Sequence, residues 1–477
     1  MKALKKYTTI GLVLTSMVIN SCSDSFLELS PISNMNEADY FQTENDFETA
    51  VTAAYATLYT EYDAESGVSY CGEQMSDEAT LYSVAGNTTD RWAFKNYELL
   101  STNSIVEQIW EDGFTDLNTV NTVIKKLQES SLENTGLITE YEAEMRFLRA
   151  LYNFNLVRMF GDIPLLKEPV GVSGSYDVLR SPESDVYNFI ISDLKFASQN
   201  LPFQSQVSRT GQATKGAAQG ILGKVYLTVG KQDSAKIVLY EVIRSEEYGL
   251  LTDYSYLWDL KHENSKEALF EIQYIGGTIN PYSDYWPSFA PFENFTITTK
   301  GGGMNQVTDY LWSDFEEGDP RRDLSIFDGY YDNSNNWVSI QFPKKWVDKD
   351  AQVVNEGECC ENNFIVLRYA DVLLMYAEAT DDAEYLNRVR RRAGMPEYGS
   401  ADYPSDLYPT LDMAIEHERE VELAMEFHRW FDLKRTNRAI PVLSERKGKT
   451  ITKEMLVLPV PQSERDINPE LSQNPDY

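Results

Sequence analysis

Between Glu140 and Phe160 the chain places Met145, Leu148, Leu151, Tyr152, Phe154, Val157 and Met159 around most of the circumference of a helix. A helix apolar over so wide an arc cannot lie on a surface. The spacing therefore predicts a largely buried helix over 140–160 with further elements packed around it. Gly161 follows at once and Pro164 soon after, which together supply its stop.

Other segments share the period. Phe47, Val51, Ala54, Tyr55 and Leu58 fall on one face of a predicted helix over 36–62. Helix is predicted again over 104–127, with Trp110 on its core side near Ile105 and Phe114. Ser181-Pro182-Glu183 reads as an N-cap with Pro at the first helical position, opening a helix to about 199. A pair over 214–230 and 232–246 is split by Gly230, and Ala217 and Ala218 permit close approach. Helix resumes over 368–379, 383–393 and 411–435. Successive pairs of this size resemble tetratricopeptide-like stacking, although no clean repeat signature survives. The fold class expected is mainly α with a few short strands, the alternating Phe270–Tyr274 run being one. The scaffold segments are then about 36–62, 104–246 and 365–435.

Two stretches break this pattern, about 63–100 and 275–360. Both read as irregular, with Gly86, Gly276-Gly277 and Gly301-Gly302-Gly303 among their breakers. Long irregular insertions are either functional or disordered. Aromatics are dense here, among them Tyr310, Tyr330, Tyr331 and Trp337, and such composition opposes disorder.

The amino terminus carries its own signal. Lys2, Lys5 and Lys6 precede an uncharged, apolar Tyr7–Ile19 run that is too short to span a bilayer. This reads as a secretory signal over 1–21. Ile19-Asn20-Ser21-Cys22 resembles a bacterial lipoprotein cleavage box, with Cys22 acylated as the first mature residue. Two or more acyl chains would anchor it stably. The plainer alternative is secretion with a free thiol. Cys71, Cys359 and Cys360 remain, an odd number that makes no disulfide framework. Cys359 and Cys360 are either a strained vicinal disulfide or two ordinary thiols.

Charge narrows the function. Acidic residues number 75 and basic ones 42, a formal net charge of −33. Phosphate backbones require clustered Lys and Arg, so this excess of acid argues against a nucleic-acid binder. No HExxH, GxSxG, Walker-type or GxGxxG pattern is present. The run Asp348-Lys349-Asp350 starts like a calcium loop, but Val353 occupies the turn-glycine position. No metal site and no cofactor are expected. His417 and His428 fall eleven apart on one predicted helix and are read as structural. The charges of that helix, Glu416 to Asp432, are read as a network of i,i+3 pairs such as Glu416 with Arg419 and Glu426 with Arg429.

Five blocks, in order, then carry a family resemblance. Glu144-Met145-Arg146-Phe147-Leu148-Arg149-Ala150-Leu151-Tyr152 with Val157-Arg158-Met159-Phe160-Gly161-Asp162-Ile163-Pro164-Leu165 is the first. Gly211, Thr214-Lys215-Gly216-Ala217-Ala218 and Lys224-Val225-Tyr226-Leu227 follow. Then come Leu367-Arg368-Tyr369-Ala370-Asp371 through Ala379 with Asn387, Arg390, Arg392, Ala393 and Gly394. Glu418-Arg419, Glu422-Leu423, Glu426 and Arg429-Trp430-Phe431-Asp432-Leu433 are next, and Leu458-Pro459-Val460-Pro461 with Gln473-Asn474-Pro475-Asp476-Tyr477 ends the set. The chain resembles the SusD/RagB-type outer-membrane lipoproteins. Phe427 and Asp476 stand where that family commonly has Gly. The resemblance implies one SusD-like domain over 22–477, a tetratricopeptide-like scaffold and ligand-facing loops. It also implies a lipid-anchored cell-surface protein that captures a nutrient, usually a glycan and sometimes a peptide. Its partner would be a SusC-like TonB-dependent transporter, and no catalysis is implied.

Sugars offer apolar C–H faces and hydroxyl edges, so a capture site wants flat aromatics flanked by polar side chains. One segment supplies Tyr82, Asn87, Asp90, Arg91 and Trp92, and the other Tyr282, Asp284, Tyr285 and Trp286. Core packing is the competing role for each ring. Two other functions stay open: peptide capture on the same fold, and a surface glycosidase, which requires a carboxylate pair.

Overall fold

The computed structural model describes residues 41–477 except 85, 87, 172, 173, 175–177, 278–280, 293–295, 300, 355 and 356. The leader, Cys22 and the start of the first predicted helix lie outside the described residues, and so does Asn87. The main helices are α1 (Glu44–Ala56), α2 (Thr88–Asn96), α3 (Ser104–Gln128), α4 (Thr135–Phe160), α5 (Glu183–Asn200), α6 (Lys215–Thr228) and α7 (Gln232–Arg244). After a strand-bearing middle come α8 (Tyr369–Thr380), α9 (Ala383–Ala393), α10 (Leu411–Glu422) and α11 (Arg429–Arg435). Neighbours stack in order: α3 on α4, α4 on α5, α5 on α6, α6 on α7, then α7 on α8 and α8 on α9. This is the expected mainly α scaffold of stacked helices.

Helix ends follow local chemistry. Asn103 Oδ1 accepts from the Ile105 and Val106 amides at 3.0 and 3.1 Å and fixes the start of α3. Asn134 caps α4, which begins five residues before its predicted start, and Gly161 closes it at φ 74°. The cap of α5 differs from expectation. Pro182 is itself the cap residue, and Ser181 pairs with Ile163 in a two-residue ladder. The missing cap is supplied from outside: Asp162 Oδ1 accepts from the Glu183 amide at 2.9 Å. Arg149, on buried α4, pairs bidentately with Asp193 of α5 at 2.7 and 2.9 Å.

The middle of the chain is more regular than expected. Strand β1 (Ala268–Ile272) pairs antiparallel with β4 (Phe364–Arg368). Between them β2 (Ile326–Tyr331) and β3 (Trp337–Pro343) form a hairpin inside the stretch read as irregular. Its turn is held by Asp332 Oδ1, which accepts from the Ser334 and Asn336 amides, both at 2.8 Å.

Residues 63–100 also depart from the irregular reading. A π-turn at Tyr70–Gln74 and helix α2 occur here, and Tyr70, Cys71, Glu73, Gln74 and Met75 are buried. Close approach is the cause. A Cβ on Gly67 would sit 2.7 Å from the Ile109 side chain, and one on Gly72 would sit 2.5 Å from the Phe427 carbonyl oxygen. Only glycine lets this segment enter the core.

The expected single helix over 411–435 is broken between α10 and α11. Met425 and Phe427 take left-handed backbone, φ 63° and 66°. Buried carboxylates capture their amides: Glu78 accepts from Met425 N at 3.0 Å and Glu73 from Phe427 N at 2.7 Å. His417 and His428 therefore do not share a helix. Phe427 repays its unfavourable backbone by stacking on Phe364 with centroids 4.9 Å apart.

The charges of this region form a buried network, as read, but through long-range partners. Arg368 reaches Glu422 at 2.5 Å, Glu426 at 2.8 Å and Glu267 at 3.2 Å. Arg321 joins Asp319, Glu418 and Glu422 at 2.6–2.8 Å. Arg390 joins Glu316 and Glu418, and Lys345 joins Glu426. The proposed i,i+3 pairs are absent from the ion pairs of the described residues. Arg419 instead pairs with Asp371 and Asp432, Arg429 with Asp77 and Glu420, and Glu416 with Arg438. A desolvated charge needs several partners at once, and one helix face cannot supply them.

Two variants test this packing. Gly72→Ala should lower stability by about 3 kcal/mol, the upper end for overpacking, because its neighbour is backbone. Arg368→Met, which leaves Glu422 and Glu426 undercompensated, should cost about 3–5 kcal/mol. Both are read from the midpoint of urea unfolding.

Candidate ligand-binding face

The two aromatic segments are brought together by a third. Residues 302–307 run between them. Gly302 N donates to the Pro287 carbonyl and Gly303 N to the Ala290 carbonyl, both at 2.8 Å, which fixes the five-residue helix Tyr285–Phe289 on one side. On the other side, Ala79 and Thr80 pair antiparallel with Val307 and Gln306. A Cβ on Gly303 would lie 1.9 Å from the Ser83 carbonyl oxygen, and one on Gly302 2.7 Å from that of Ser288. The glycine run is thus the wedge that lets both segments close onto one strand.

The predicted residues divide into three groups. Tyr82 and Tyr282 face solvent, 53% and 41% exposed. Trp92 is half-buried, packed on the main core, with the Lys95 ammonium 4.4 Å from its ring centre. Arg91 pairs with Glu65 at 2.5 Å and reaches Met304 Sδ at 3.5 Å, so it ties its segment to the glycine strand. Asp90 has a structural task. Its Oδ2 accepts from Ser104 N at 3.0 Å and Ser104 Oγ at 2.5 Å at the start of α3.

Tyr285 and Trp286 are corrected from the face to the interior. Tyr285 is fully buried, and its ring lies 4.9 Å from Trp346 and 5.6 Å from Phe364. Its hydroxyl donates to the Tyr62 carbonyl. Trp286 packs with Phe327, Phe342 and Cys360. A one-turn helix has no outer face to spare once residues 285, 286 and 289 all point inward. Trp110 is core, as read.

Within the stretch 275–360, three exposed rings were not among the predicted site residues: Tyr310, Tyr331 and Trp337, at 45%, 58% and 48% exposure. Tyr331 and Trp337 are direct cross-strand partners at the tip of the β2–β3 hairpin, their centroids 5.1 Å apart. A Cβ on Gly329 would meet the Trp337 indole at 2.5 Å, so the indole lies over that glycine. The signal was present as two aromatic runs flanking an Asn-rich turn.

The charges near the two aromatic segments are committed to partners. Burial, then repulsion from Asp63 and Glu65, raises the Asp284 carboxyl well above the carboxylate range. Ser288 Oγ donates to it at 3.2 Å. Among the described residues no group of His, Cys, Asp and Glu is arranged to hold a metal ion. Asp348 accepts from the Asp350 and Glu361 amides, both at 3.0 Å, which spends both its oxygens on the loop. Cys359 and Cys360 are free, buried thiols, which closes the disulfide alternative. His417 stacks on Tyr408 and meets Glu316 at 3.2 Å, and His428 meets Lys224 at 3.3 Å.

Comparison with known proteins extends over almost the whole chain. Residues 25–227 match the family described as starch-binding associating with outer membrane, and residues 291–477 match the SusD family. A SusD-like protein P2 of Formosa agariphila is 29% identical over an alignment 484 positions long, covering 91% of each chain. A SusD-like protein of Bacteroides ovatus is 26% identical, covering 92% of this chain and 84% of that one. Among solved structures, a laminarin binding SusD-like protein superposes with a TM-score of 0.80 at 29% identity, covering 91% of this chain and all of the other. A SusD superfamily protein of Parabacteroides distasonis gives 0.78 at 25% identity, over 91% and 99% of the two chains. The two family matches together span most of the chain, and the curated relatives and the solved structure of the same fold agree with them; the chain belongs to the SusD/RagB family.

Proposed function

We propose that this protein is a cell-surface lipoprotein that binds an oligosaccharide and delivers it to a SusC-like TonB-dependent transporter, without altering it chemically. The observation that carries this reading is a pair of solvent-exposed tyrosines, Tyr82 and Tyr282, on two segments that close onto one strand, on a fold shared with a laminarin binding protein. Tyr82, Tyr282 and the half-buried Trp92 offer flat apolar surface to a sugar ring, and the more exposed Glu65, held by Arg91, offers a polar edge in the same region. A family description that places relatives at the outer membrane supports the location. In this reading Cys22 carries the acyl chains, and residues 22–477 form one functional unit.

The test is titration of residues 23–477 with neutral and charged oligosaccharides and with peptides, followed by tryptophan fluorescence. Saturable binding of one glycan class is expected. Trp92→Ala should weaken it by about tenfold or more, which is about 1.4 kcal/mol. A response to peptides alone would overturn glycan capture. For the anchor, Cys22→Ser should move the full-length protein from the detergent-rich to the aqueous phase in a cloud-point partition, because the acyl chains supply roughly 0.8 kcal/mol per buried methylene.

A further inference from the structure

Around Tyr82 the local charge reverses. The protein carries a formal net charge of −33. Yet Lys95, Arg446, Lys447 and Lys449 line one cavity of about 350 Å³, together with Tyr82 and Tyr310. Two of these cations are compensated: Arg446 pairs with Asp314 at 2.7 Å and Lys449 with Glu98 at 3.3 Å. Lys95 and Lys447 form no ion pair among the described residues. Lys95 Nζ donates to the Leu81 carbonyl at 3.0 Å, and Lys447 Nζ to the Gln74 carbonyl at 2.9 Å. A carbonyl orients an ammonium without neutralising it.

The acids nearby do not fill this role. Asp77 also lines the cavity, but it is bound bidentately by Arg429 at 2.9 and 3.0 Å. Glu98 serves Lys449, and Asp309 is exposed at the rim. Burial pushes the Lys447 ammonium down to about 7; Asp77 opposes this and Lys95 adds to it. Burial also lowers Lys95. Two uncompensated ammonium groups facing one cavity therefore favour a counter-ion. The rings beside them define what kind. Tyr310 lies under the Arg446 guanidinium at 4.8 Å, and Tyr82 stands 53% exposed.

We propose that this cavity is an anion subsite of the glycan-binding face, taking the carboxylate of a uronic acid or the sulfate ester of a sulfated sugar, with the sugar ring against Tyr82 and Tyr310. The proposal rests on glycan capture and specifies its substrate class. Long-range repulsion by the acidic surface does not prevent it, since screening at physiological salt acts beyond about 8 Å. The short-range pairing inside the cavity is screened much less.

The experiment compares tri-galacturonic acid, a monosulfated laminari-oligosaccharide and neutral laminarihexaose by isothermal titration calorimetry. At least one charged ligand should bind about tenfold more tightly than the neutral one. Which of the two binds identifies the source of the anion. Its affinity should fall as salt is raised, and fall again from pH 6 to pH 8 as Lys447 loses its proton. Lys447→Met and Lys95→Met should each abolish the preference, while Lys447→Arg retains it. Laminarihexaose binding should not respond to pH in this range. The wild-type comparison needs no variant, so a misfolded mutant leaves the test intact. Equal or better binding of the neutral ligand overturns the anion subsite and leaves glycan capture standing. Binding of no glycan at all, charged or neutral, overturns glycan capture and the subsite with it.

Discussion

The structure depends on neutralising Glu418, Glu422 and Glu426 away from water. These acids follow one another along α10 and the turn after it, and each is essentially unexposed. None can be satisfied by its own helix. Their cations arrive from the short helix Pro320–Ser325, the end of β4, α9 and the segment after β3. Buried pairs of this kind are weak evidence for net stability, because desolvation consumes much of the Coulombic gain. Their effect here is on arrangement. The charges are compensated only when the middle of the chain is seated on the carboxy-terminal helices.

That seating is transmitted to the face. Glu73 and Glu78, buried in the segment that leads to Tyr82, hold the Phe427 and Met425 amides of the same turn. Phe427 then stacks with Phe364 and lies near Tyr285 and Phe289, which carry the helix below Tyr282. One left-handed turn thus links the ionic network to both aromatic segments. Gly72 makes room for it, since its missing Cβ is occupied by the Phe427 backbone. The glycine at 303 performs a matching task nearer the surface, against the Ser83 carbonyl.

The rings of the two aromatic segments and the hairpin have different duties. Tyr82, Tyr282, Tyr310, Tyr331 and Trp337 are directed outward, whereas Tyr285 and Trp286 support them from within. Lys95 connects the half-buried Trp92 to the cationic cavity, since it lies over that ring and lines the same space as Tyr82. The aromatic surface and the cationic cavity are therefore contiguous through one lysine. Asp90 and Arg91, although polar and adjacent to the rings, are engaged in holding α3 and the glycine strand in place.

The helices were legible in the sequence because their determinants are local. Apolar spacing placed α3 through α9 to within a few residues, and Asn, Thr and Gly at their ends act within one turn. Motif order also identified the family, since the scaffold blocks are contiguous in the chain. What the sequence could not decide was direction and partnership. Tyr282 and Tyr285 are three residues apart, and only the inward turn of a five-residue helix separates an exposed ring from a buried one. The break between α10 and α11 was equally hidden, because amide capture by Glu73 and Glu78 acts from about 350 residues away. The partners of Arg368, and Asp371 for Arg419 and Asp77 for Arg429, were hidden for the same reason. Periodicity is a property of neighbours along the chain, whereas burial, ion pairing and the cavity beside Tyr82 arise only when distant segments meet.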